Sequence, residues 1–248
     1  MMGWFRRRKS PPADQPAVVP LQTDLHSHLL IGVDDGARSE TEALNMVRGL
    51  AELGFRKAIT TPHVYHDIYP NSPQVIHSAL DRLQRLLADH QIAFIVEAAA
   101  EYFLDEFFLR LLDQRSLLTF GRQYVLFELP YHSRPAMLEE AVFQLQLAGY
   151  QPVLAHPERY PYLFDPRLNL YDDLKKSGVL FQLNLASLTG HFGSGPRRAA
   201  RALSQAGWID FAGTDLHQAA SCLVLHETMR QREYVELLAR NPLRNNEL

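Results

Sequence analysis

From Leu21 onward, short apolar runs alternate with segments whose apolar positions recur every three or four residues. The first run predicts a strand over 22–28. A helix then opens at Ser39, where Ser39 and Glu42 stand at capping-box spacing, and Leu44, Val47 and Leu50 follow at helical period before Gly54 stops it. Residues 57–61 predict the second strand. Ser72 caps the next helix with Pro73 in its first position, and Ile76, Leu80, Leu83 and Leu87 form its apolar stripe. Strands follow over 92–98, 123–129, 151–155, 179–183 and 208–212. Helices over 104–115, 135–148, 168–176 and 196–206 separate them, and one terminal helix covers 222–240. Strict alternation of strand and helix predicts an α/β fold with parallel strands. Seven such units in about 220 residues fit a closed or nearly closed barrel better than an open sheet. With no internal repeat or linker, residues 21–248 form one expected domain.

Residues 1–20 have a different pattern. Trp4 and Phe5 precede a basic cluster, Arg6, Arg7, Arg8 and Lys9, and a proline-rich stretch follows. No apolar core follows the charges, so the expectation is a flexible, solvated tail that resembles a signal peptide only in its charge. Each basic residue near an anionic membrane adds about 1 kcal/mol, which gives the tail a weak surface contact at most.

Composition narrows the chemistry. Hydrophobic residues make up 46% of the 248, enough for a full core, and 25 basic against 28 acidic side chains leave a net charge of -3. That balance argues against a protein that coats nucleic acid. No apolar run approaches the roughly 18 residues of a spanning helix, which predicts a soluble chain. The single cysteine, Cys222, excludes a disulfide framework and a multi-cysteine zinc site, while 11 histidines remain.

Most of the informative histidines and acids fall where predicted strands end. His26 and His28 end the first, with Asp34 and Asp35 in the next loop; His63 ends the second; Glu101 follows the third; Glu128 ends the fourth; His156 ends the fifth; Asp215 and His217 follow the seventh. In parallel α/β barrels the C-terminal strand ends form one face, and active sites occupy it. Each residue alone has an ordinary explanation. His26-Ser27-His28 could be plain strand residues, Asp215 a helix cap, and Arg159 the surface partner of Glu158. Glu128, set in Val125-Leu126-Phe127-Glu128-Leu129, is harder to dismiss, because an unpaired buried carboxylate costs several kcal/mol. Glu101 meets the same objection. Together these residues offer more ligands than one ion needs, and nitrogen and oxygen donors without thiolate suit Mn, Fe or Zn. Arg159, three residues after His156, adds a guanidinium fork that reads phosphate bidentately. Clustered ions with an adjacent arginine favour phosphoester hydrolysis. A cysteine phosphatase is excluded, since Thr228 stands where the phosphate-loop arginine would follow Cys222. No Walker loop is present, and Gly193-Ser194-Gly195 reads as a plain loop.

Asp24-Leu25-His26-Ser27-His28, Asp34-Asp35-Gly36, Thr61-Pro62-His63, Ala155-His156-Pro157-Glu158-Arg159-Tyr160 and Gly213-Thr214-Asp215-Leu216-His217 together resemble the polymerase and histidinol phosphatase superfamily. Within it they are most similar to the bacterial protein-tyrosine phosphatases encoded beside capsule and exopolysaccharide genes. The resemblance implies a distorted, TIM-like (β/α)7 barrel holding three divalent ions, often manganese, at the C-terminal ends of the strands. His26 and His28 would hold one with Glu101, which bridges to a second held by His63 and His156. Asp35, chosen over Asp34 because it directly precedes the glycine, would complete the third with Asp215 and His217. Arg159 would bind the phosphate, Glu128 would be a carboxylate beside the metals, and His217 could return a proton to the leaving group. Relatives often carry a basic residue after Thr-Pro-His, where this chain has Val64-Tyr65-His66, so no second cation is expected there. The implied substrate is the phosphotyrosine-bearing tail of a membrane-associated bacterial tyrosine kinase, met in the cytoplasm or at the inner membrane face. The rival readings are a small-molecule phosphatase of the histidinol-phosphate type and a non-catalytic regulator docking on the kinase.

Overall fold

A computed structural model describes residues 20–248; the basic tail, apart from Pro20, lies outside the described residues. The chain is an α/β fold of parallel strands with helices packed around them. Its elements are β1 (Thr23–Leu25), α1 (Glu40–Glu52), β2 (Lys57–Thr60), β3 (His63–Val64), α2 (Pro73–Asp89), β4 (Ile95–Ala98), β5 (Glu101–Phe103) and α3 (Glu106–Asp113). They continue as β6 (Tyr124–Glu128), α4 (Leu138–Leu147), β7 (Gln151–Ala155), α5 (Asn169–Lys176), β8 (Leu180–Asn184), α6 (Ser194–Ala206), β9 (Phe211–Gly213), α7 (Cys222–Met229) and α8 (Arg232–Arg240).

The strands form two sheets, β1-β2-β4 and β3-β5-β6-β7-β8-β9, and every pair within them is parallel. The second and third expected strands, over 57–61 and 92–98, are each followed by a further short strand that the pattern does not predict. Thr61-Pro62 separates β2 from β3, and Ala99-Ala100 separates β4 from β5. Backbone bonds still cross the breaks, from Ala99 N–H to Thr60 O at 2.9 Å and from Glu101 N–H to Pro62 O at 3.0 Å. At the far side the segments that follow β1 and β9 meet through a parallel bridge between Ser27 and Leu216. Below that bridge the Asn245 side chain serves as a rung, donating to Thr23 O at 3.0 Å and Ala212 O at 2.7 Å and accepting from Ala212 N–H. Leu25, Ile59, Leu126, Val153 and Phe211 pack in one apolar cluster among the strands, and a larger cluster joins strands to helices.

Local chemistry explains the elements. Ser39 and Ser72 accept from Glu42 N–H and Val75 N–H, as expected of helix caps. The Glu42 carboxylate does not close the box on Ser39; it accepts from Arg38 N–H at 2.8 Å. The first strand stops at Leu25 because His26 turns into positive φ, 103°. Gly193-Ser194-Gly195 is not a plain loop: Gly193 precedes α6, which starts at Ser194. The single terminal helix is also two, α7 and α8. At about 100° per residue, Leu225 and Tyr234 would face opposite sides of one helix. The break at Arg230-Gln231 lets Leu225 and Thr228 as well as Tyr234 and Leu237 reach the interior.

Gly213 closes β9 onto β1. A Cβ there would meet Leu25 O at 1.9 Å and Gln182 Nε2 at 2.7 Å. Gly213→Ala is therefore expected to lower unfolding free energy by about 1–3 kcal/mol, the range of overpacked cores, as read by urea denaturation. An unchanged midpoint would contradict this account of the closure.

Candidate metal centre

The expected ligands do come together, and Glu101 stands at their centre. Its carboxylate is fully buried at the start of β5. Oε2 lies 3.0 Å from His26 Nε2, 3.2 Å from His63 Nδ1 and 3.7 Å from His28 Nε2, while Oε1 lies 3.0 Å from His156 Nε2. Glu128, at the end of β6, faces His63 Nδ1 at 3.3 Å. Asp215 Oδ1 is 3.3 Å from His26 Nε2 and 3.5 Å from His28 Nε2. Asp35 Oδ1 sits at the solvent side, 3.4 Å from His217 Nε2 and 3.6 Å from His63 Nε2.

Four overlapping groups could each hold an ion: His28, Asp35, His63 and His217; His26, His28 and Glu101; His26, His156 and Asp215; His63, Glu101 and Glu128. The grouping differs from the expected partition in two respects. Glu128, rather than the expected His156, groups with His63 and Glu101, and His156 groups with His26 and Asp215. Asp35 and His217 group with His28 and His63, apart from Asp215. Asp34 stands behind this shell. It accepts from His28 Nδ1–H at 2.7 Å, and its carboxylate also takes the N–H groups of Gly36 and His63. That leaves His28 Nε2 facing the cluster. His28 Nε2 and His156 Nδ1 are buried without a hydrogen-bond partner, which fits donors awaiting a cation.

The backbone is strained where three of the candidate ligands turn inward. His26, His156 and Asp215 have φ of 103°, 34° and 52°. Such conformations cost about 1–3 kcal/mol each and gather at functional sites.

The electrostatics report a crowded, charge-balanced cavity. Burial opposes charge on His26, but Glu101 and Asp215 outweigh it and push the imidazole up to about 10. His63 likewise rises to about 10, with burial opposed by Glu101 and Glu128. Burial would raise Glu101, yet His26 and His63 hold it well below the usual carboxylate range. A hydrogen bond from His217 draws Asp35 down to about 2. Burial lowers His156, and Arg159 lowers it further.

Arg159 lies at the edge of the cluster with Nη1 2.8 Å from Asp215 Oδ2. Its guanidinium carbon is 4.4 Å from the Phe192 ring centre and 5.1 Å from that of Tyr131. Glu158 is not its partner. That carboxylate turns inward to Ser187 Oγ at 2.7 Å and Asn184 N–H at 3.1 Å, and burial pushes it up to about 7. After His63, Tyr65 stacks on Phe103, and the His66 ring lies tilted against Phe107 with 4.8 Å between centres. Burial raises the Cys222 thiol to about 11, far from nucleophilic readiness. Beside Arg159, Asp215 and His217 opens a cavity of about 210 Å³, walled on its apolar side by Phe192, Val224 and Leu225.

Gln182 and Asn184, fully buried on β8, also belong to the site although neither titrates. Two amides at i and i+2 within the apolar run Leu180-Phe181-Gln182-Leu183-Asn184 were the available signal.

With this geometry in hand, the comparison with known families is decisive. A model of the CpsB/CapC family of capsular polysaccharide synthesis matches residues 22–236. The chain belongs to that family. The tyrosine-protein phosphatase YwqE of Bacillus subtilis is 33% identical over 195 residues, spanning 78% of this chain and 76% of that protein. The tyrosine-protein phosphatase CpsB of Streptococcus agalactiae serotype V is 22% identical over 211 residues, 78% of this chain and 82% of that protein. Among solved structures, one from the crystallography of YwqE and Streptococcus pneumoniae CpsB, described as unique metal-dependent tyrosine phosphatases, superposes with a TM-score of 0.73. It is 30% identical and covers 89% of this chain and 95% of its own.

The raised imidazoles yield a pH prediction. In the ion-free protein their charge stabilises the fold fully below about pH 6.5, and that contribution is lost as pH rises through about 10. An ion must displace those protons. Calorimetric titration of ion-free protein with Mn²⁺ at pH 7 should therefore give heats that vary with buffer ionisation enthalpy, reporting proton release. Heats independent of the buffer would show that His26 and His63 are not ligands.

Proposed function

We propose that this member of the CpsB/CapC family is a metal-dependent phosphatase that hydrolyses phosphotyrosine on a partner protein. The partner is the tail of a membrane-associated bacterial tyrosine kinase governing capsule or exopolysaccharide synthesis. The single observation that carries this reading is the Glu101-centred cluster of imidazoles and carboxylates with Arg159 at its edge. We further propose that the nine strands work as a distorted barrel of seven units, with β2–β3 and β4–β5 each acting as one, and that the site occupies the C-terminal strand ends. Among the described residues no helix is long and apolar enough to cross a membrane. A cytoplasmic location and a weak contact of the basic tail with the inner membrane face complete the proposal.

The donor set supports three divalent ions, with manganese as the first choice and iron or zinc as alternatives. His26, His28, Asp35, His63, Glu101, Glu128, His156, Asp215 and His217 would hold them. Bound ions supply Lewis acidity to the phosphoryl oxygens and make water a nucleophile at neutral pH. Arg159 offers its fork to the phosphoryl oxygens, where charge develops in the transition state. Asp215 fixes one side of that fork. Between ligand and acid, the geometry favours the ligand role for His217. Its Nδ1–H donates to Asp215 O at 3.0 Å, and its Nε2 belongs to the group with Asp35. A phenol leaves with an ordinary pKa near 10, so departure needs little acid help. The cavity walled by Phe192, Val224 and Leu225 supports an aromatic leaving group.

The test compares kcat/KM on a phosphotyrosyl peptide and on histidinol phosphate, with Mn²⁺ and after chelation. The peptide should be preferred, and chelation should abolish turnover. Preference for histidinol phosphate would establish the small-molecule reading; an ion-loaded protein inert on both would establish the regulator. In the same assay Arg159→Ala should retain its metal and lose about 10²–10³ in kcat/KM. Lysine should restore only part, for lack of the bidentate fork. A fully active Arg159→Ala protein would show that the phosphate binds elsewhere.

A further inference from the structure

The end of β8 carries no candidate ligand, yet two of its side chains reach the centre. His26 Nδ1–H donates to Gln182 Oε1 at 2.8 Å. Gln182 Nε2 donates to Asn184 Oδ1 at 3.0 Å, and Asn184 Nδ2 donates to Asp215 Oδ2 at 2.7 Å. The chain therefore begins on one candidate ligand and ends on another. His26 lies at the end of β1 and Asp215 at the end of β9. Gln182 Oε1 also takes the His156 N–H at 3.3 Å. Gln182 and Asn184 are completely buried, so water cannot replace either amide.

The directions of these bonds matter. An imidazole that donates through Nδ1 presents the Nε2 lone pair, and His26 Nε2 is the atom 3.0 Å from Glu101 and 3.3 Å from Asp215. At the other end, Asp215 Oδ2 is taken up by Asn184 and by Arg159 Nη1, leaving Oδ1 toward His26 and His28. Gly213 lets the amide sit there, since a Cβ at that position would approach Gln182 Nε2 to 2.7 Å.

We propose that Gln182 and Asn184 form a positioning relay that fixes the metal-facing nitrogen of His26 and the metal-facing oxygen of Asp215, and thereby aims Arg159. The relay touches neither substrate nor ion. It rests on the metal-dependent reading above and adds to it which uncharged residues set ligand orientation. Its failure can be told apart from the failure of that reading.

The experiment is calorimetric titration of ion-free protein with Mn²⁺, run beside thermal melting of the same ion-free samples. Gln182→Leu removes the acceptor of His26 and should weaken Mn²⁺ binding 10- to 100-fold, the usual effect of losing an outer partner of a ligand. Gln182→Glu keeps an acceptor for His26 Nδ1–H and should recover most of that affinity. Asn184→Leu should weaken binding separately. The double variant Gln182→Leu/Asn184→Leu should fall short of the product of the two effects, because both cut one chain. If Gln182→Leu does not fold, Asn184→Leu and the Gln182→Glu comparison carry the same decision. In ¹⁵N spectra of Zn²⁺-loaded protein, His26 should show a protonated Nδ1 in the wild type. Mn²⁺ affinities within twofold of wild type in both Leu variants would overturn the relay alone. A wild-type protein that binds no divalent ion would overturn the metal reading and the relay together.

Discussion

A carboxylate with no exposure to water, surrounded by four imidazoles, is the constraint on which this molecule turns. Glu101 alone would be prohibitively costly in the interior, and each neighbouring histidine alone would lose its proton on burial. Glu101, His26 and His63 hold one another in charged form, at the price of a fold that must bring four separate strand ends to within about 4 Å. The interruptions at Thr61-Pro62 and Ala99-Ala100 serve that requirement. His63 and Glu101 open the short strands that follow them and are paired in register, side by side, at the rim of the site. Positive φ at His26, His156 and Asp215 turns the remaining ligands inward.

Around this centre a layer of supporting residues holds the candidate ligands from behind. Asp34 secures His28, Gln182 secures His26, and Asn184 secures Asp215. Asp24, buried on β1 and raised by burial to about 7, takes both the N–H and the hydroxyl of Thr214. The ligand-bearing loop after β9 is thus tied to β1 one residue before Asp215.

Much of this was legible in the sequence, for identifiable reasons. Caps at Ser39 and Ser72 act through local hydrogen bonds, and β7 matches its apolar run from Gln151 to Ala155. The reactive side chains announced themselves by chemical type at strand ends, which is why His26, His28, His63, Glu101, His156, Asp215 and His217 could be gathered before any coordinates. The strand interruptions were not legible, since Ala99 and Ala100 carry no signal and Pro62 marks only one break. The ligand position of Glu128 and the exchange of His156 between groups depend on where side chains point, which periodicity does not encode. Gln182 and Asn184 escaped because amides do not titrate and resemble ordinary strand residues. The division between α7 and α8 was available, in the phase between Leu225 and Tyr234.

The central claim is that Glu101 is shared between ions. Diffraction from crystals of the Mn²⁺-loaded protein, with anomalous differences collected above the manganese edge, tests it directly. The account predicts at least two anomalous peaks within coordination distance of the Glu101 carboxylate, one toward His26 and His28 and one toward His63 and Glu128. A single peak, or ions that do not touch Glu101, would contradict it.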